Sequence, residues 1–350
     1  MSAGEPIPLH IVTGFLGAGK TSLINRLLKS PALAGALVIV NEWGEIGLDH
    51  LLFEAIEGEV ISLNSGCLCC TLRGDLVDRL NELLDRRDAG TIAPFALVVL
   101  ETTGLADPAP ILLALGADPR LAARFRVAGV TTLVDAVNGE ATLAAHGEAQ
   151  RQAALADRIG LAKSDLIAAE GRPARLAAMR AALGGINPVA PILDVAAGEL
   201  DADAFLAEPL AMRRIDAAPP IAHAASVRSH VFVSETLIQP PALGRFLDLL
   251  SELLGPRLLR VKGLIGLADN PDRPLLIHGA QHVFHAPRIL PAWPDGERLS
   301  RLVVIADGVA PARIEALWAA LTGAPQIDTP DLAALTDNPL APKVLAHRSR

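Results

Sequence analysis

The sequence feature that most constrains the fold is a glycine-rich run close to the start of the chain, Gly14-Phe-Leu-Gly-Ala-Gly-Lys-Thr21. It fits the pattern G-x-x-x-x-G-K-[ST], in which backbone N–H groups and the lysine surround the phosphates of a nucleotide. The apolar run Pro8–Thr13 before it predicts a buried strand, and Thr21–Ser30 after it predicts a helix. Because strand, loop and helix follow one another as the pattern requires, we predict a phosphate-binding loop in an α/β fold.

The rest of the first two hundred residues alternates apolar runs with helical patterns. Runs that are apolar throughout are typical of strands covered on both faces of a parallel sheet. We therefore predict a P-loop NTPase fold with a mostly parallel sheet and helices on both faces. The further predicted strands are Ala36–Val40, Val60–Leu63, Phe95–Glu101, Ala128–Val134, Ile159–Ala162 and Ala190–Leu193, and the helices include Leu72–Asp85, Ala109–Leu115 and Arg172–Leu183.

The order of elements changes after a stretch rich in Pro and Ala, Pro209–Pro220. Beyond it the predicted elements are the strands Val227–Ser234, Leu258–Leu267, Pro274–His278, His282–His285 and Arg301–Ala306 and the helices Pro241–Leu254 and Pro311–Leu321. This α+β order is typical of a small antiparallel sheet that carries helices. We expect a GTPase-type domain over residues 1–210, a linker over 211–226, a smaller α+β domain over 227–325 and a tail over 326–350.

The loop and the strand that ends at Glu101 supply the candidate catalytic residues. Lys20 would reach the β- and γ-phosphates, and the Thr21 hydroxyl would bind Mg²⁺. Glu101 would hold Mg²⁺, directly or through water, or orient the attacking water, and the N–H of Gly104 would sense the γ-phosphate. The catalytic candidates are therefore Lys20, Glu101 and Gly104, and the candidate phosphate contacts are Gly14, Gly17, Ala18, Gly19, Lys20, Thr21 and Ser22.

A second motif, Ala162-Lys-Ser-Asp165, follows another predicted strand and resembles the base-reading motif of GTPases. The Asp165 carboxylate could accept both the N1–H and the N2–H₂ donors of guanine, and adenine offers no such pair. The stem of Lys163 would lie along the base plane. GTPases usually carry Asn at the position of Ala162, so one supporting hydrogen bond is absent. The motif favours GTP over ATP, and a surface turn without a ligand is the alternative.

All three cysteines of the chain lie within four positions, at Cys67, Cys69 and Cys70. Three thiols in one glycine-containing loop are typical of a metal-thiolate or redox site. Zn²⁺ favours tetrahedral sulfur and nitrogen ligands, although Cu(I), Co²⁺ and Ni²⁺ also suit such a site. Three ligands from one loop leave a fourth position open, which fits delivery of the metal. A redox pair and inert thiols are the alternatives.

An acidic segment, Asn41–His50, follows the second predicted strand, in the place where nucleotide switches lie. Glu42 or Glu45 could supply the fourth metal ligand or contact Mg²⁺; an acidic loop without a ligand is the alternative.

The sequence also offers a candidate for a second metal site, formed by His278, His282 and His285. In an extended segment His278 and His282 share a face and His285 points away. Sheet histidines held by ordinary hydrogen bonds are the favoured interpretation.

Composition limits the classes of partner. The net charge of −8 opposes binding to a phosphate backbone, so no nucleic acid is expected as a partner. No apolar run reaches the roughly 18 residues that a membrane-spanning helix needs, so no membrane is expected either. The residues Met1–Pro6 lack the basic and apolar regions of a signal peptide, which predicts a cytoplasmic protein whose thiols stay reduced.

Together the motifs resemble the CobW-like GTPases, the metallochaperone branch of the P-loop GTPases, to which urease and hydrogenase nickel-inserting accessory proteins also belong. The matching segments are Gly14–Ser22, Asn41–Asp49, Gly66–Cys70, Glu101–Pro108, Val134–Ala136, Gln152–Asp165 and Arg260–Gly263. The resemblance implies a GTPase that uses GTP and Mg²⁺, binds Zn²⁺ (or Co²⁺) and passes it to a client metalloprotein. By position, Lys20 and Thr21 match the phosphate and Mg²⁺ contacts. A small C-terminal domain would help to choose clients.

The resemblance further implies that Cys67, Cys69 and Cys70 are the metal ligands and that Lys163 and Asp165 recognise the base. Its leading hypothesis is slow GTP hydrolysis coupled to metal transfer. The rival hypothesis is a nucleotide-gated interaction module whose thiols sense oxidation, and a third is an ATP-dependent small-molecule kinase, which Asp165 disfavours. The metal, the client and the oligomeric state stay open, a nucleotide-dependent homodimer being one alternative.

Overall fold

The computed structural model describes residues 5–42, 60–64, 71–208, 226–281, 283–284, 287–294 and 296–323. The three cysteines, the acidic segment beyond Glu42, His282 and His285 lie outside the described residues. Among the residues that are described, no helix combines the length and the apolar character needed to cross a membrane.

In the described part of the chain, seven parallel strands form the first sheet, in the order β3-β2-β4-β1-β5-β6-β7. They are β1 (Ile7–Gly14), β2 (Ala36–Glu42), β3 (Val60–Asn64), β4 (Leu97–Glu101), β5 (Phe125–Asp135), β6 (Arg158–Ala162) and β7 (Ile192–Asp194). The central strand β1 lies between β4 and β5, where the strand order reverses direction. In open α/β sheets, ligands bind beyond the carboxyl ends of the strands at such a reversal.

Helices cover both faces of this sheet. They are α1 (Lys20–Leu27), α2 (Thr71–Asp88), α3 (Ala109–Ala117), α4 (Pro119–Arg124), α5 (Gly139–Ala145), α6 (Gly147–Leu155), α7 (Arg172–Ile186) and α8 (Ala202–Leu206). On β2, Leu37 and Ile39 pack in the core that α2 and α3 cover. Val38 and Val40 pack in the opposite core, under α1. Both faces of the strand are buried, which explains its continuous apolar run and confirms the predicted fold class.

The second sheet is antiparallel and, within the described residues, has six strands. These are β8 (Val227–Ser234), β9 (Leu258–Leu267), β10 (Asn270–Ala280), β11 (Val283–Phe284), β12 (Arg288–Ile289) and β13 (Ser300–Asp307), in the order β11-β10-β9-β13-β8 with β12 paired to β10. Two helices, α9 (Pro240–Leu254) and α10 (Pro311–Thr322), pack on one face around Val261 and Ile265. The other face, with Val303 and Ile305, shares a core with Ala149 and Ala153 of α6.

The structure differs from the sequence predictions at several element boundaries. The predicted helix Thr21–Ser30 ends at Leu27, and α4, α5, α6, α8 and β12 had no prediction. Of the strand predicted over His282–His285, the described residues are those of β11, which forms a hairpin with β10. The turn between them begins at Gln281, whose φ is 52°. His278 lies in β10 before this turn, and His282 lies outside the described residues, so the shared face expected for the two stays a prediction.

Candidate functional site

The phosphate-binding loop turns between β1 and α1 with three glycines in the left-handed region. The φ angles of Gly14, Gly17 and Gly19 are 141°, 70° and 92°, which residues with a Cβ rarely adopt. Gly14 also lies against β5, because a Cβ there would come within 2.4 Å of the Leu133 carbonyl oxygen. The loop therefore needs glycine for its turn and for its close approach to the sheet.

Lys20 begins α1, and its side chain folds back over the loop. The residue is buried, and its Nζ donates hydrogen bonds to the carbonyl oxygens of Gly14 at 2.9 Å and Phe15 at 3.4 Å. The positive charge thus lies at the N-terminus of a helix whose dipole already favours anions. Of the other predicted contacts, Ala18 is buried and Ser22 is exposed on the first turn of the helix.

The predicted magnesium residues come from separate motifs and meet in the structure. The Thr21 hydroxyl donates to Glu101, at 3.1 Å from Oε1 and 3.4 Å from Oε2. They meet because β4 pairs in parallel with β1, with Glu101 opposite Val12. Glu101 is only 4% exposed. A hydroxyl and a buried carboxylate are oxygen donors of the kind that Mg²⁺ prefers, so this pair fits the ion.

The segment that follows β4 lies against the phosphate-binding loop. Thr102 holds its start, because its N–H donates to the Val12 carbonyl at 3.0 Å and its hydroxyl to Thr13 Oγ1 at 2.8 Å. At Gly104 a Cβ would lie 2.6 Å from Leu16 Cδ2 and 2.7 Å from the Leu16 backbone nitrogen. Only glycine fits here, and the backbone of Gly104 therefore lies directly beside the loop that surrounds the phosphates.

Directly after β6, Lys163 has a φ of 61°, and its Nζ binds Asp135 Oδ2 at 2.8 Å. Burial raises the pKa of Asp135, but hydrogen bonds from Lys163 and from the N–H groups of Val137 and Asn138 outweigh it and hold that pKa below its ordinary value. Asp135 is thus a charged partner that fixes Lys163. Sequence reasoning gave it no role, although its position at the carboxyl end of β5 was a signal.

Asp165 lies on an exposed turn just after Lys163, and Ser164 anchors that turn through a 2.6 Å hydrogen bond to Asp194. Ala162 is buried and faces the phosphate-binding loop, because a Cβ added at Gly19 would lie 3.8 Å from its own. The methyl group of Ala162 cannot form the hydrogen bond that an Asn there could offer. Asp165 is therefore open to solvent, whereas Ala162 is buried beside the loop.

A cavity of about 260 Å³ lies between the phosphate-binding loop and the helices α5 and α6. Its lining includes residues 15–18 of the loop, Asp135, Gln152 and Lys163. The phosphate-binding loop and the turn at Lys163 thus border one connected depression. Its polar groups include the loop backbone, the Lys163–Asp135 pair and Gln152, so an elongated ligand that carries both an anion and a polar ring suits it.

The strands that lead into the two candidate metal segments are neighbours. The strands β2 and β3 pair in parallel up to the register Glu42 with Asn64. The cysteine run begins three residues after Asn64, and the acidic segment follows directly on β2. Because β3 and β1 are separated by two strands, their carboxyl ends lie about 14 Å apart at the usual strand spacing. The described residues contain no group of three or more His, Cys, Asp or Glu suited to a metal.

Comparison with known families agrees with this arrangement. The family model "CobW/HypB/UreG, nucleotide-binding domain" matches residues 8–194, and the model "Cobalamin synthesis protein cobW C-terminal domain" matches residues 227–322. The chain belongs to the CobW/HypB/UreG family. Its two sheets correspond to the two matched ranges of that family, and the residues from Gly14 to Asp165 lie in the first.

The names of two relatives in the family both refer to zinc. The chain is 33% identical to "Zinc chaperone YjiA" of Escherichia coli over 328 residues, which are 91% of this chain and 99% of the relative. It is 32% identical over 204 residues to "Zinc-regulated GTPase metalloprotein activator 1" of Schizosaccharomyces pombe, covering 56% of this chain and 47% of that protein. The crystal structure of Zn(II)-bound YjiA GTPase from E. coli superposes with a TM-score of 0.70 at 26% identity, covering 91% and 99% of the two chains.

Proposed function

We propose that this chain is a GTPase that carries a metal ion. It binds Zn²⁺, or a similar ion such as Co²⁺, at Cys67, Cys69 and Cys70 and passes it to a client metalloprotein during GTP hydrolysis. The observation that carries the proposal is the shared edge of one sheet. Three strands end at this edge, within a few strand spacings of one another: the one that leads into the phosphate-binding loop, the one that ends in Glu101 and the one that leads into the cysteines. The names of the relatives support the same activity.

The residues at the carboxyl ends of β1 and β4 would perform the nucleotide chemistry. Lys20 exchanges its two loop carbonyl partners for β- and γ-phosphate oxygens, and the N–H of Gly104 meets the γ-phosphate. Thr21 and Glu101 hold Mg²⁺, Glu101 directly or through water. When bound, the ion neutralises the charge that develops on the transferred phosphoryl group. The alternative role for Glu101 is to orient the attacking water.

Guanine is the proposed base. The exposed Asp165 carboxylate accepts hydrogen bonds from the two donors on the guanine edge. The aliphatic stem of Lys163, whose amine is held by Asp135, lies along the plane of the base. Because Ala162 has no polar side chain, the hydrogen bond that an Asn at this position would form with the phosphate-binding loop is absent. We therefore expect selectivity for GTP over ATP with a modest overall affinity.

We propose that binding at the metal site and binding at the nucleotide site are coupled. The acidic segment after Glu42 lies in the sequence between β2 and β3, and β2 is the neighbour of β4, which ends in Glu101. Ordering of that segment by GTP–Mg²⁺ would change the surroundings of the cysteines, and hydrolysis would release it. Glu42 is our candidate for the fourth metal ligand. Each ligand should then alter the affinity for the other.

Partners and setting follow from exposed groups and charge. Leu16 is 61% exposed and Leu105 is 37% exposed, both beside the nucleotide site, and burial of such apolar side chains favours a homodimer in the GTP-bound state. Light scattering with a non-hydrolysable GTP analogue should then report a dimer.

We expect a cytoplasmic protein with neither nucleic acid nor membrane as a partner. The proposed domains are residues 1–210 and 227–325, joined by a linker, with a tail after them.

The test is a competition titration of Zn²⁺ against a chromophoric chelator, with and without GTP–Mg²⁺, combined with calorimetry of GTP at fixed Zn²⁺. Coupling should appear as a change of roughly 5- to 150-fold, equal in both directions. Identical dissociation constants with and without the second ligand would reject metal delivery. Anaerobically purified protein that holds no metal and forms a disulfide in air would instead favour the redox sensor.

A further inference from the structure

Helix α6 lies between the segment that follows β4 and the second sheet. Its residues Ala149 and Ala153 pack in one core with Val303 and Ile305 of β13. At the end of the helix, Arg260 of β9 donates to the Leu155 carbonyl oxygen. The helix is thus fixed to the C-terminal sheet by apolar contacts and by a buried guanidinium.

Gln152, on the side of α6 that faces the nucleotide site, holds the segment around Gly104. The residue is 1% exposed, and its Nε2 donates to the carbonyl oxygens of Gly104 at 3.1 Å and Ala106 at 2.9 Å. Both neighbours are acceptors, so only the NH₂ group of the amide suits this position. The backbone carbonyl oxygen of Gln152 in turn accepts from the Thr132 hydroxyl of β5 at 2.7 Å. The carbonyl of Gly104 is therefore tied, through one residue, to the centre of the sheet.

Arg151, the preceding residue, connects the same segment to the second sheet. Its Nη2 lies 2.6 Å from Asp307 Oδ2, at the end of β13, and its Nη1 lies 3.4 Å from Asp107 Oδ2. The other oxygen of Asp107 accepts from the Ala109 N–H at 2.9 Å, at the start of α3. One guanidinium therefore joins the nucleotide-side segment and the C-terminal sheet through two carboxylates.

We propose that Gln152 and Arg151 are positioning residues with two tasks. Gln152 orients the peptide around Gly104 so that the Gly104 N–H can meet a γ-phosphate, which makes it a determinant of GTP over GDP. Arg151 passes the position of this segment to the C-terminal sheet through Asp307. The proposal rests on the GTP site proposed above. It adds that the second domain, whose role would be client choice, responds to the nucleotide through α6.

The first task is tested by Gln152→Met, which keeps the size of the side chain and removes both donors. We expect about a tenfold loss of affinity for a non-hydrolysable GTP analogue, since one aligned contact to a charged group is lost, with GDP affinity unchanged. The matched control is Gln150→Met. Gln150 is also buried in α6 and donates to a backbone carbonyl, that of Leu143 at 2.7 Å, but it does not bind the Gly104 segment.

Calorimetry separates the outcomes. Equal losses for the GTP analogue and GDP in Gln152→Met, or no loss for either, would overturn the positioning role while leaving the GTP site intact. A parent protein that binds no GTP analogue would overturn the proposed function itself.

The second task is tested by Asp307→Ala with hydrogen exchange of the full chain. In the parent, the GTP analogue with Mg²⁺ should change the protection of amides in residues 102–108 and in β13. In the variant the first response should remain, and the second should fall to background. Asp88→Ala is the control, because Asp88 forms its 2.8 Å ion pair with Arg124, and neither residue belongs to residues 102–108 or to β13. An unchanged response of β13 in Asp307→Ala would refute the connection through Arg151.

Discussion

The carboxylate of Asp157 in the first domain is paired with the guanidinium of Arg260 in the second, and both side chains are buried. Asp157 lies between α6 and β6, and its second oxygen accepts from the Val130 N–H at 2.9 Å. Burial raises the pKa of Asp157, but the charges of Arg260 and Lys262 and the bond from Val130 outweigh it and lower that pKa to about 2. The two sheets are therefore joined by a buried ion pair as well as by apolar packing.

Removing one member of this pair should destabilise the protein strongly. Asp157→Ala leaves the Arg260 charge buried without its carboxylate, and such changes cost about 3 to 5 kcal/mol. The measurement is the free energy of unfolding from urea denaturation at pH 7. Asp88→Ala, which breaks an exposed pair, should cost about 1 kcal/mol or less. Equal costs in the two variants would mean that the buried pair does not hold the domains together.

The stability of the fold should fall in mild acid because of His10. Burial lowers the pKa of His10 to about 4, and the charges of Arg158 and Arg126 act in the same direction. Between about pH 6.5 and pH 4 the unfolded state then binds more protons than the folded state, so stability is lost as the pH falls. From pH 7 to pH 5 this residue should account for about 2 kcal/mol.

Comparison with His10→Phe isolates this contribution, because all other titrating groups are common to both proteins. Phe suits the site, where the His10 ring lies 4.9 Å from that of Phe205. The difference in unfolding free energy between pH 7 and pH 5 should be smaller in the variant by that amount. The same pH dependence in parent and variant would show that His10 is not the group responsible.

The meeting of Thr21 and Glu101 could be expected from the sequence, because each follows an apolar strand and parallel strands end at one edge. The contacts of Gln152 could not. Gln152 binds a carbonyl 48 positions earlier in the chain, and a polar residue in an alanine-rich helix does not indicate which carbonyl it will meet. Gln281 lies in the gap left between the predicted strands Pro274–His278 and His282–His285, but its left-handed φ of 52° could not be expected, because residues other than glycine rarely adopt it.

Lys20→Ala should reduce GTP hydrolysis by a factor on the order of 10² to 10³, because a fixed positive charge at the phosphates is lost. Single-turnover phosphate release measures this effect. Lys29→Ala, just beyond the end of α1, is the matched control and should hydrolyse GTP like the parent. Undiminished turnover in Lys20→Ala would refute the role assigned to the phosphate-binding loop.

Asp165→Asn should change the preferred base. The asparagine oxygen still accepts from N1–H, but its NH₂ group faces the guanine N2–H₂ and instead suits the carbonyl oxygen of xanthine. The affinity for GTP should fall by about tenfold or more, and the affinity for xanthosine triphosphate should rise. Asp203→Asn, an exposed acid on α8, controls for the change in net charge. If both variants keep the GTP affinity of the parent, Asp165 does not contact the base.

Cys67→Ser and Cys70→Ser should each weaken Zn²⁺ binding by about 100-fold or more, because serine keeps the size of the side chain but supplies no thiolate. GTP binding should persist in both variants, since the phosphate-binding loop follows β1, which is three positions away in the sheet from β3. Chelator competition measures the metal and calorimetry the nucleotide. Equal Zn²⁺ affinity in the parent and in a variant with all three cysteines replaced by serine would remove the metal site from these residues. The chain would then be a nucleotide-hydrolysing protein whose metal, if it carries one, binds elsewhere.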